Sequence, residues 1–179
     1  MEKRLADGSI ELIQADITGL QVDAIVTAAN SGLRGGGGVD GAVHRAAGPR
    51  LLEACRSIGG CQTGSAVATD AFNLGQNGVK YVLHAVGPVW RGGTQSEPNL
   101  LRNAYATSLK IAREKKCSSI AFPSISTGVY GFPIDKAAPL ALLTCKEFLE
   151  SEPGDLLRIV FALFDQATLE TFESALNNL

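Results

Sequence analysis

The stretch VTAANSGLRGGGGVDGAVHRAAG, residues 26–48, decides the fold, because four consecutive glycines join an apolar, β-branched segment to a helical pattern. Glycine loses more conformational freedom on folding than any other residue, so a run of it belongs where side chains would not fit. Unobstructed backbone N–H groups beside a helix N-terminus favour a phosphate or another anion. The stretch therefore predicts a strand, a ligand-facing loop and a helix. The alternative is a flexible connection whose residues adopt left-handed backbone angles. It would explain a single glycine well, but it explains four consecutive glycines less well.

The rest of the chain alternates predicted strands with predicted helices. Apolar runs such as 118–123 and 157–164 suit a sheet that helices cover on both faces. A length of 179 residues fits one domain, so residues 1–179 are predicted to form a single α/β sandwich. Strands are predicted at residues 9–14, 22–29, 65–72, 80–86, 118–123 and 157–164, and helices from about residue 39, over 98–116, over 133–150 and over 168–179.

A second glycine-containing loop, SISTGVYGFP at residues 124–133, repeats the arrangement of the first. Each loop follows a predicted strand and precedes a predicted helix. In an open α/β sheet such loops lie at the carboxyl ends of the strands, where ligands bind. The second loop adds the hydroxyl groups of Ser124, Ser126 and Thr127 to its backbone N–H groups. The two loops therefore predict one shared crevice suited to a diphosphate and its sugars.

Three familiar motifs fit this chain poorly. Gly36, Gly38 and Gly41 satisfy G-x-G-x-x-G, but NSGLRG separates them from the strand, and the acidic residue expected about 20 positions later is not evident. No Walker lysine follows either glycine loop, which argues against a P-loop. Ser124 and Ser126 lie in no G-x-S-x-G elbow. Hydride transfer, triphosphate hydrolysis and serine-based acyl transfer are therefore disfavoured.

The composition is that of an ordinary globular protein and restricts its partners. Apolar residues make up 45% of the chain and charged residues 19%, and the net charge is -2. Nucleic-acid-binding domains usually carry a basic excess, whereas the largest basic cluster here, REKK at 113–116, fits a solvated helix end. The apolar stretches are too short to cross a bilayer. Neither nucleic acid nor a membrane is therefore expected as a partner.

The four cysteines, Cys55, Cys61, Cys117 and Cys145, form no C-x-x-C pair, and only two histidines accompany them. This spacing does not match a metal site. Reduced, half-buried cysteines and a polar N-terminal segment without an apolar signal region are typical of a cytoplasmic protein. We therefore expect a cytoplasmic location and no bound metal.

Three polar residues flank the first glycine loop and are candidates for chemistry. Asp40 and His44 lie four residues apart on the predicted helix, so their side chains face the same way. Asn30 stands at the end of the apolar strand, near the glycines. Each also has a structural interpretation: a first-turn carboxylate for Asp40, a partly buried histidine for His44 and a turn residue for Asn30. Spacing alone leaves these alternatives open.

Five motifs in a fixed order span nearly the whole chain: ADIT (15–18), VTAAN (26–30), GGGGVDGAVHRAAG (35–48), HAVGP (84–88) and PSISTGVYGFP (123–133). In this order and spacing they resemble the macrodomain family, specifically its MacroD-type branch of ADP-ribose hydrolases. The resemblance implies a three-layer α/β/α sandwich with a mixed, mostly parallel central sheet. It also implies ADP-ribose as the ligand and no cofactor, since backbone donors around the diphosphate need no metal to neutralise it.

The resemblance implies a reaction at the terminal ribose. Asn30 and Asp40 match the residues that the branch ties to hydrolysis, and His44 matches the residue that supports them. The implied enzyme removes mono-ADP-ribose from acidic side chains of proteins and deacetylates O-acetyl-ADP-ribose. Asp40 would activate a water, or would position the sugar while the substrate's own phosphate activates the water. The alternative function is a non-catalytic reader module that binds ADP-ribose.

The resemblance also implies a set of ligand-binding residues. Asp16, with the backbone of Ile17 beside it, would bind the adenine, and Phe164 is a further aromatic neighbour of that base. Phe132 would lie near the terminal ribose. The residues implied around the diphosphate and the ribose are Gly36, Gly37, Gly38, Val39, Ser124, Ser126, Thr127, Gly128, Val129, Tyr130 and Phe132.

Two positions depart from the family pattern. Ala15 stands before Asp16 where the family commonly has glycine, and Thr27 replaces the first asparagine of an Asn-Ala-Ala-Asn motif. If the strand alternation continued to Asn30, Thr27 would point to the opposite face. The catalytic groups are therefore expected to be kept, and the sequence leaves open what replaces the contact of the first asparagine.

Overall fold

Seven strands form one mixed sheet at the centre of the molecule. In the computed structural model, which describes residues 1–179, the strands are β1 (Glu2–Leu5), β2 (Gly8–Gln14), β3 (Ala24–Ala28), β4 (Ser65–Asp70), β5 (Tyr81–Val86), β6 (Ser119–Phe122) and β7 (Arg158–Leu163). Their order across the sheet is β1-β2-β7-β6-β3-β5-β4. The five inner strands are parallel, and the edge strands β1 and β4 are antiparallel to their neighbours. The predicted mixed, mostly parallel sheet is confirmed.

Five α-helices cover both faces of this sheet: α1 (Gly38–Ala47), α2 (Arg50–Ile58), α3 (Glu97–Glu114), α4 (Ile134–Glu150) and α5 (Gln166–Asn177). Helices α3, α4 and α5 pack on one face, and α1 and α2 pack on the other. Alternate strand residues supply the two cores, so that Val26 faces the first layer and Ile25 the second. This arrangement confirms the three-layer α/β/α sandwich. No helix is long and apolar enough to span a membrane.

Two features of the fold are absent from the sequence prediction. Strand β1 has the polar sequence EKRL and a single partner strand, so it is half exposed and lacks an apolar signal. The helical pattern after residue 39 divides into α1 and α2, because Gly48 adopts a φ of 86° and Pro49 follows it. The ends of the other predicted elements differ from the observed ends by at most two residues.

The carboxyl ends of β3 and β6 lie side by side, and each strand leads into a glycine-containing loop. The two strands are parallel partners in the sheet. The chain leaves β3 for α1 on one face and leaves β6 for α4 on the opposite face. Neighbouring strands whose connections diverge in this way leave a crevice between their ends. The shared crevice predicted from the glycine loops therefore opens between β3 and β6.

Candidate active site

A cleft of about 390 Å³ lies between the two glycine-containing loops. Residues 28–40, at the end of β3 and the start of α1, form one wall, and residues 123–130, after β6, form the other. The cleft brings together most of the predicted site. It is lined by Ala28, Asn30, Gly36, Gly37, Gly38, Val39, Asp40, Pro123, Ser124, Ser126, Gly128, Val129 and Tyr130.

The first loop presents bare backbone to this cleft. Gly36, Gly37 and Gly38 are exposed, and a Cβ atom on Gly37 would meet no atom within 4 Å. Gly38 adopts a φ of 56°, which residues with a side chain rarely adopt, and it begins α1. The first N–H groups of a helix have no intrahelical partner, so this end of α1 favours an anion in the cleft.

Asp40 lies in the first turn of α1, with only 5% of its surface exposed. The Thr27 hydroxyl donates a hydrogen bond to Asp40 Oδ1 at 2.9 Å, and His44 Nε2 lies 3.6 Å from the same oxygen. Burial raises the pKa of the Asp40 carboxyl, while the Thr27 hydrogen bond and the nearby His44 act in the opposite direction. The other oxygen, Oδ2, would lie 3.9 Å from a Cβ atom on Gly36. The carboxylate is thus anchored through one oxygen and directs the other towards the glycine loop.

Thr27 makes the contact that the sequence left open. Strand β3 ends at Ala28, so the strand alternation does not continue to Asn30. Thr27 is fully buried and faces α1, where its hydroxyl binds Asp40. The residue that replaces the family's first asparagine therefore supplies a hydrogen-bond donor to the buried carboxylate.

The Asn30 side chain braces the first loop. Its Nδ2 donates to the carbonyl of Gly35 at 2.8 Å, and its Oδ1 accepts a hydrogen bond from the backbone N–H of Arg34 at 3.0 Å. These bonds use one of the two N–H donors of the amide and one of its two lone pairs. Because Asn30 also lines the cleft, its amide can hold the loop and still bind a ligand.

Buried groups beneath the second loop fix its shape. The Tyr105 hydroxyl, on α3, accepts a hydrogen bond from the N–H of Ile125 and donates to the carbonyl of Pro123. A Cβ atom on Gly87 would lie 2.1 Å from Ser126 Oγ, so no larger residue fits there without moving the loop. The sequence did not reveal either contact, since both join segments that are distant along the chain.

Two residues predicted to bind the ligand lie outside the cleft wall. Phe132 is buried beneath the second loop, and its ring packs against Trp90 with centroids 4.7 Å apart. The Thr127 hydroxyl donates to Ser124 within the loop. The side chains of Phe132 and Thr127 thus support the loop in this structure, and their contact with a ligand stays a prediction.

The remaining predicted residues lie at the same edge of the sheet, beyond β6. Asp16 and Ile17 follow β2, and Phe164 follows β7, which lies between β2 and β6. Phe164 is 87% exposed, whereas Ile17 is buried. The exposed Asp16 accepts hydrogen bonds through Oδ1 from the N–H and the hydroxyl of Thr18. A carboxylate and an exposed aromatic ring therefore follow two neighbouring strands at the edge that carries the cleft.

Three possible metal ligands meet next to Asp40: His44, Cys55 and His84. Their donor atoms lie within 4.8 Å of one another, which spacing along the sequence did not reveal. His84 Nε2 lies 3.0 Å from the Thr69 hydroxyl, and burial, together with the nearby His44, lowers the pKa of His84 to about 4. Burial and the nearby Asp40 raise the pKa of the Cys55 thiol to about 11. At neutral pH, His84 and Cys55 are therefore uncharged groups packed between α2 and β5.

Comparison with known proteins assigns this fold to a family. The family model described as the Macro domain matches residues 26–141. The chain belongs to the macrodomain family. This macrodomain is 53% identical to a macro domain-containing protein of Chlorobaculum tepidum, over 93% of the chain and 95% of that protein.

Two further relatives carry names that describe an activity. The macrodomain is 47% identical to the O-acetyl-ADP-ribose deacetylase of Cronobacter sakazakii, over 94% of the chain and 94% of that protein. It is also 47% identical to the ADP-ribose glycohydrolase MACROD2 of Mus musculus, over 99% of the chain but only 37% of that longer protein. The resemblance carried by the five motifs is thereby confirmed.

Solved structures of the family share the architecture. The macrodomain superposes on the Oceanobacillus iheyensis macrodomain with ADP at a TM-score of 0.92 and 39% identity, covering 99% of this chain and 95% of the other. It also superposes on the Trypanosoma brucei macrodomain in complex with ADP-ribose, at a TM-score of 0.85 and 43% identity, covering 93% of this chain and 68% of the other. The α/β/α sandwich is therefore the architecture of the family.

Proposed function

We propose that this macrodomain hydrolyses ADP-ribose esters, removing mono-ADP-ribose from acidic side chains of proteins and deacetylating O-acetyl-ADP-ribose. The observation that carries the proposal is the buried Asp40 carboxylate, held by Thr27 at the wall of a cleft that also contains Asn30. Binding of an anionic ligand alone explains a buried negative charge beside it poorly, because such a charge repels the diphosphate and is costly to desolvate. A catalytic role in ester hydrolysis explains the buried Asp40 carboxylate better.

The cleft and its sheet edge are suited to the parts of ADP-ribose. We place the adenine at Asp16, Ile17 and Phe164, beyond β6, and the terminal ribose at Asn30 and Asp40. The diphosphate then lies between the loops, where the end of α1 and the backbone N–H groups of glycines face it. The residues assigned to the diphosphate are Gly36, Gly37, Gly38, Val39, Ser124, Ser126, Gly128, Val129 and Tyr130.

The proposed reaction is addition of water to the ester carbonyl at the terminal ribose. The bond between the carbonyl carbon and the ribose oxygen breaks, the ribose oxygen takes up a proton, and the acyl group leaves as a carboxylate. Asp40 either accepts a proton from the water or positions the sugar while the substrate's phosphate accepts that proton. Asn30 orients the ribose hydroxyls, and His44, 3.6 Å from Asp40, supports the carboxylate.

Names and ligands of related proteins support this proposal. One relative is named for deacetylation of O-acetyl-ADP-ribose and another for hydrolysis of ADP-ribose linkages. Related structures were determined with ADP or ADP-ribose. The partners that we expect are therefore ADP-ribosylated proteins or O-acetyl-ADP-ribose, while a cytoplasmic location and the lack of a nucleic-acid partner stay predictions from the sequence.

Turnover of two esters by the wild-type protein tests the proposal. O-acetyl-ADP-ribose and a protein automodified on Asp or Glu side chains are incubated separately, and the release of acetate and of ADP-ribose is followed. We expect both products to accumulate over many turnovers. Tight binding of ADP-ribose by calorimetry without turnover of either ester would instead identify a non-catalytic reader.

A further inference from the structure

A second cavity, of about 430 Å³, lies between the start of the first loop and α2. It is lined by Gly32, Leu33, Arg34, Leu52, Arg56 and Gly59. The only charged side chains in this wall are the two arginines, which are both exposed. Neither arginine lies within 4.0 Å of a carboxylate, since the ion pairs of this protein involve other residues. The cavity therefore holds two positive charges that no group of the protein neutralises by direct contact.

This second cavity adjoins the reactive end of the cleft. Asn30 lines the cleft, and its side chain binds the backbone of Arg34 and Gly35. The short segment 31–35 thus connects the wall of the cleft to the wall of the second cavity. A polypeptide attached to a ribose beside Asn30 would have to leave the cleft past one of its walls. The second cavity lies along one such path.

The segment of the chain that supplies the wall of the second cavity, residues 31–64, differs in the sign of its charge from the whole chain. Residues 31–64 contain four basic residues and only two acidic ones, although the protein carries a net charge of -2. One of the two carboxylates, Asp40, is buried. All four basic residues are arginines, whose planar guanidinium groups bind a carboxylate through two parallel hydrogen bonds. The four are Arg34, Arg45, Arg50 and Arg56.

We propose that the second cavity binds an acidic side chain of the modified protein, close in sequence to the residue that carries ADP-ribose. This assignment rests on the proposed function, because it concerns the protein part of that substrate. Arg34 and Arg56 pair with the carboxylate, and the aliphatic wall from Leu33 and Leu52 receives its methylene groups. The enzyme therefore prefers modification sites in acidic segments. A substrate without a polypeptide, such as O-acetyl-ADP-ribose, makes no contact with the cavity.

Two matched peptides and one variant test this site. Both peptides carry ADP-ribose on one glutamate through an ester, and their flanking residues are Asp and Glu in one peptide but Asn and Gln in the other. For the wild type we expect kcat/KM to be about fivefold higher for the acidic peptide, since a partly exposed ion pair contributes about 1 kcal/mol. Added salt should weaken this preference, because it screens exposed charges.

Arg56→Gln should abolish the preference while turnover of O-acetyl-ADP-ribose stays at the wild-type rate. The matched control is Arg4→Gln, which neutralises an exposed arginine on β1 that also has no ion pair. A preference that survives in Arg56→Gln, or a loss of O-acetyl-ADP-ribose turnover in that variant, would overturn the assignment. If the wild type cleaves none of these esters, the proposed function fails, and the ratio of the two peptides' Kd values then tests the cavity separately.

Discussion

At the scale of single residues, the chemistry depends on how Asp40 is held. Only 5% of its surface is exposed, and burial raises the pKa of its carboxyl group. The Thr27 hydrogen bond acts against that shift because it stabilises the ionised form. Thr27 therefore adjusts the fraction of Asp40 that is ionised at a given pH.

Thr27→Val should slow ester hydrolysis and change its pH dependence. The substitution keeps the side-chain volume but removes the donor, which raises the pKa of Asp40 further. If the ionised form is active, the rate falls as the pH drops through this pKa, so the loss of rate moves to higher pH. At pH values below the wild-type pKa of Asp40 we expect about a tenfold decrease, since a hydrogen bond to a charged group contributes about 1.5 kcal/mol. Rate–pH profiles would show this, with Thr27→Ser as the control that restores the donor. An unshifted profile for the valine variant would contradict it.

Asp40→Asn should stabilise the folded protein at neutral pH. Because burial raises the pKa of Asp40 in the folded state, the side chain favours folding while its carboxyl group is protonated. This contribution to stability is lost as the pH rises through the folded-state pKa. An asparagine has no charge to desolvate and keeps an oxygen that can accept from Thr27. Thermal unfolding above the pKa should therefore give a Tm at or above that of the wild type. A clearly lower Tm would show that the ionised carboxylate stabilises the fold.

At the scale of structural elements, residues outside the second loop fix its geometry. The backbone N–H of Trp90 donates to the backbone carbonyl of Tyr130 at 2.8 Å, and Gly87 lies directly against Ser126. Both residues belong to the segment that follows β5. The end of one strand thus shapes the loop that follows another strand, β6.

Gly87→Ala should therefore weaken ADP-ribose binding. Its Cβ atom would lie 2.1 Å from Ser126 Oγ and 2.6 Å from Ile125 Cγ2, so the second loop must move. We expect a decrease in affinity of about tenfold or more and a loss of about 1–3 kcal/mol in unfolding free energy, as for other overpacked sites. Calorimetry and denaturant titration measure the two effects. The matched control is Gly19→Ala, whose Cβ atom would meet nothing within 4 Å, and equal behaviour of the two variants would contradict the steric account.

At the scale of the whole molecule, the sheet and its helical layers could be predicted because their signals are local. Apolar alternation indicates a strand, helical periodicity indicates a helix, and clustered glycines indicate a loop, each from neighbouring residues alone. The cleft was also predictable, since both glycine loops follow parallel strands. The contacts of Thr27 with Asp40, Gly87 with Ser126 and Tyr105 with Ile125 were not, because each depends on packing between elements that the sequence does not align.

ADP-ribose should stabilise the whole chain in one cooperative transition. A ligand present at 100 times its Kd adds about 2.7 kcal/mol to the unfolding free energy. For a chain of 179 residues this corresponds to an increase in Tm of about 5–10 °C. Differential scanning calorimetry measures the shift, with adenosine, which lacks the diphosphate and terminal ribose, as the control. Two separate transitions would contradict the prediction that residues 1–179 form a single domain.

The most direct test of the central claim is the rate at which Asp40→Ala releases ADP-ribose from a protein that carries it on Asp or Glu through an ester. We expect a decrease of about 100-fold or more relative to the wild type, because a positioned acid or base contributes about that much. Binding of ADP-ribose, measured on the same preparation, should be retained. Release by Asp40→Ala at the wild-type rate would contradict the assignment of Asp40 to catalysis.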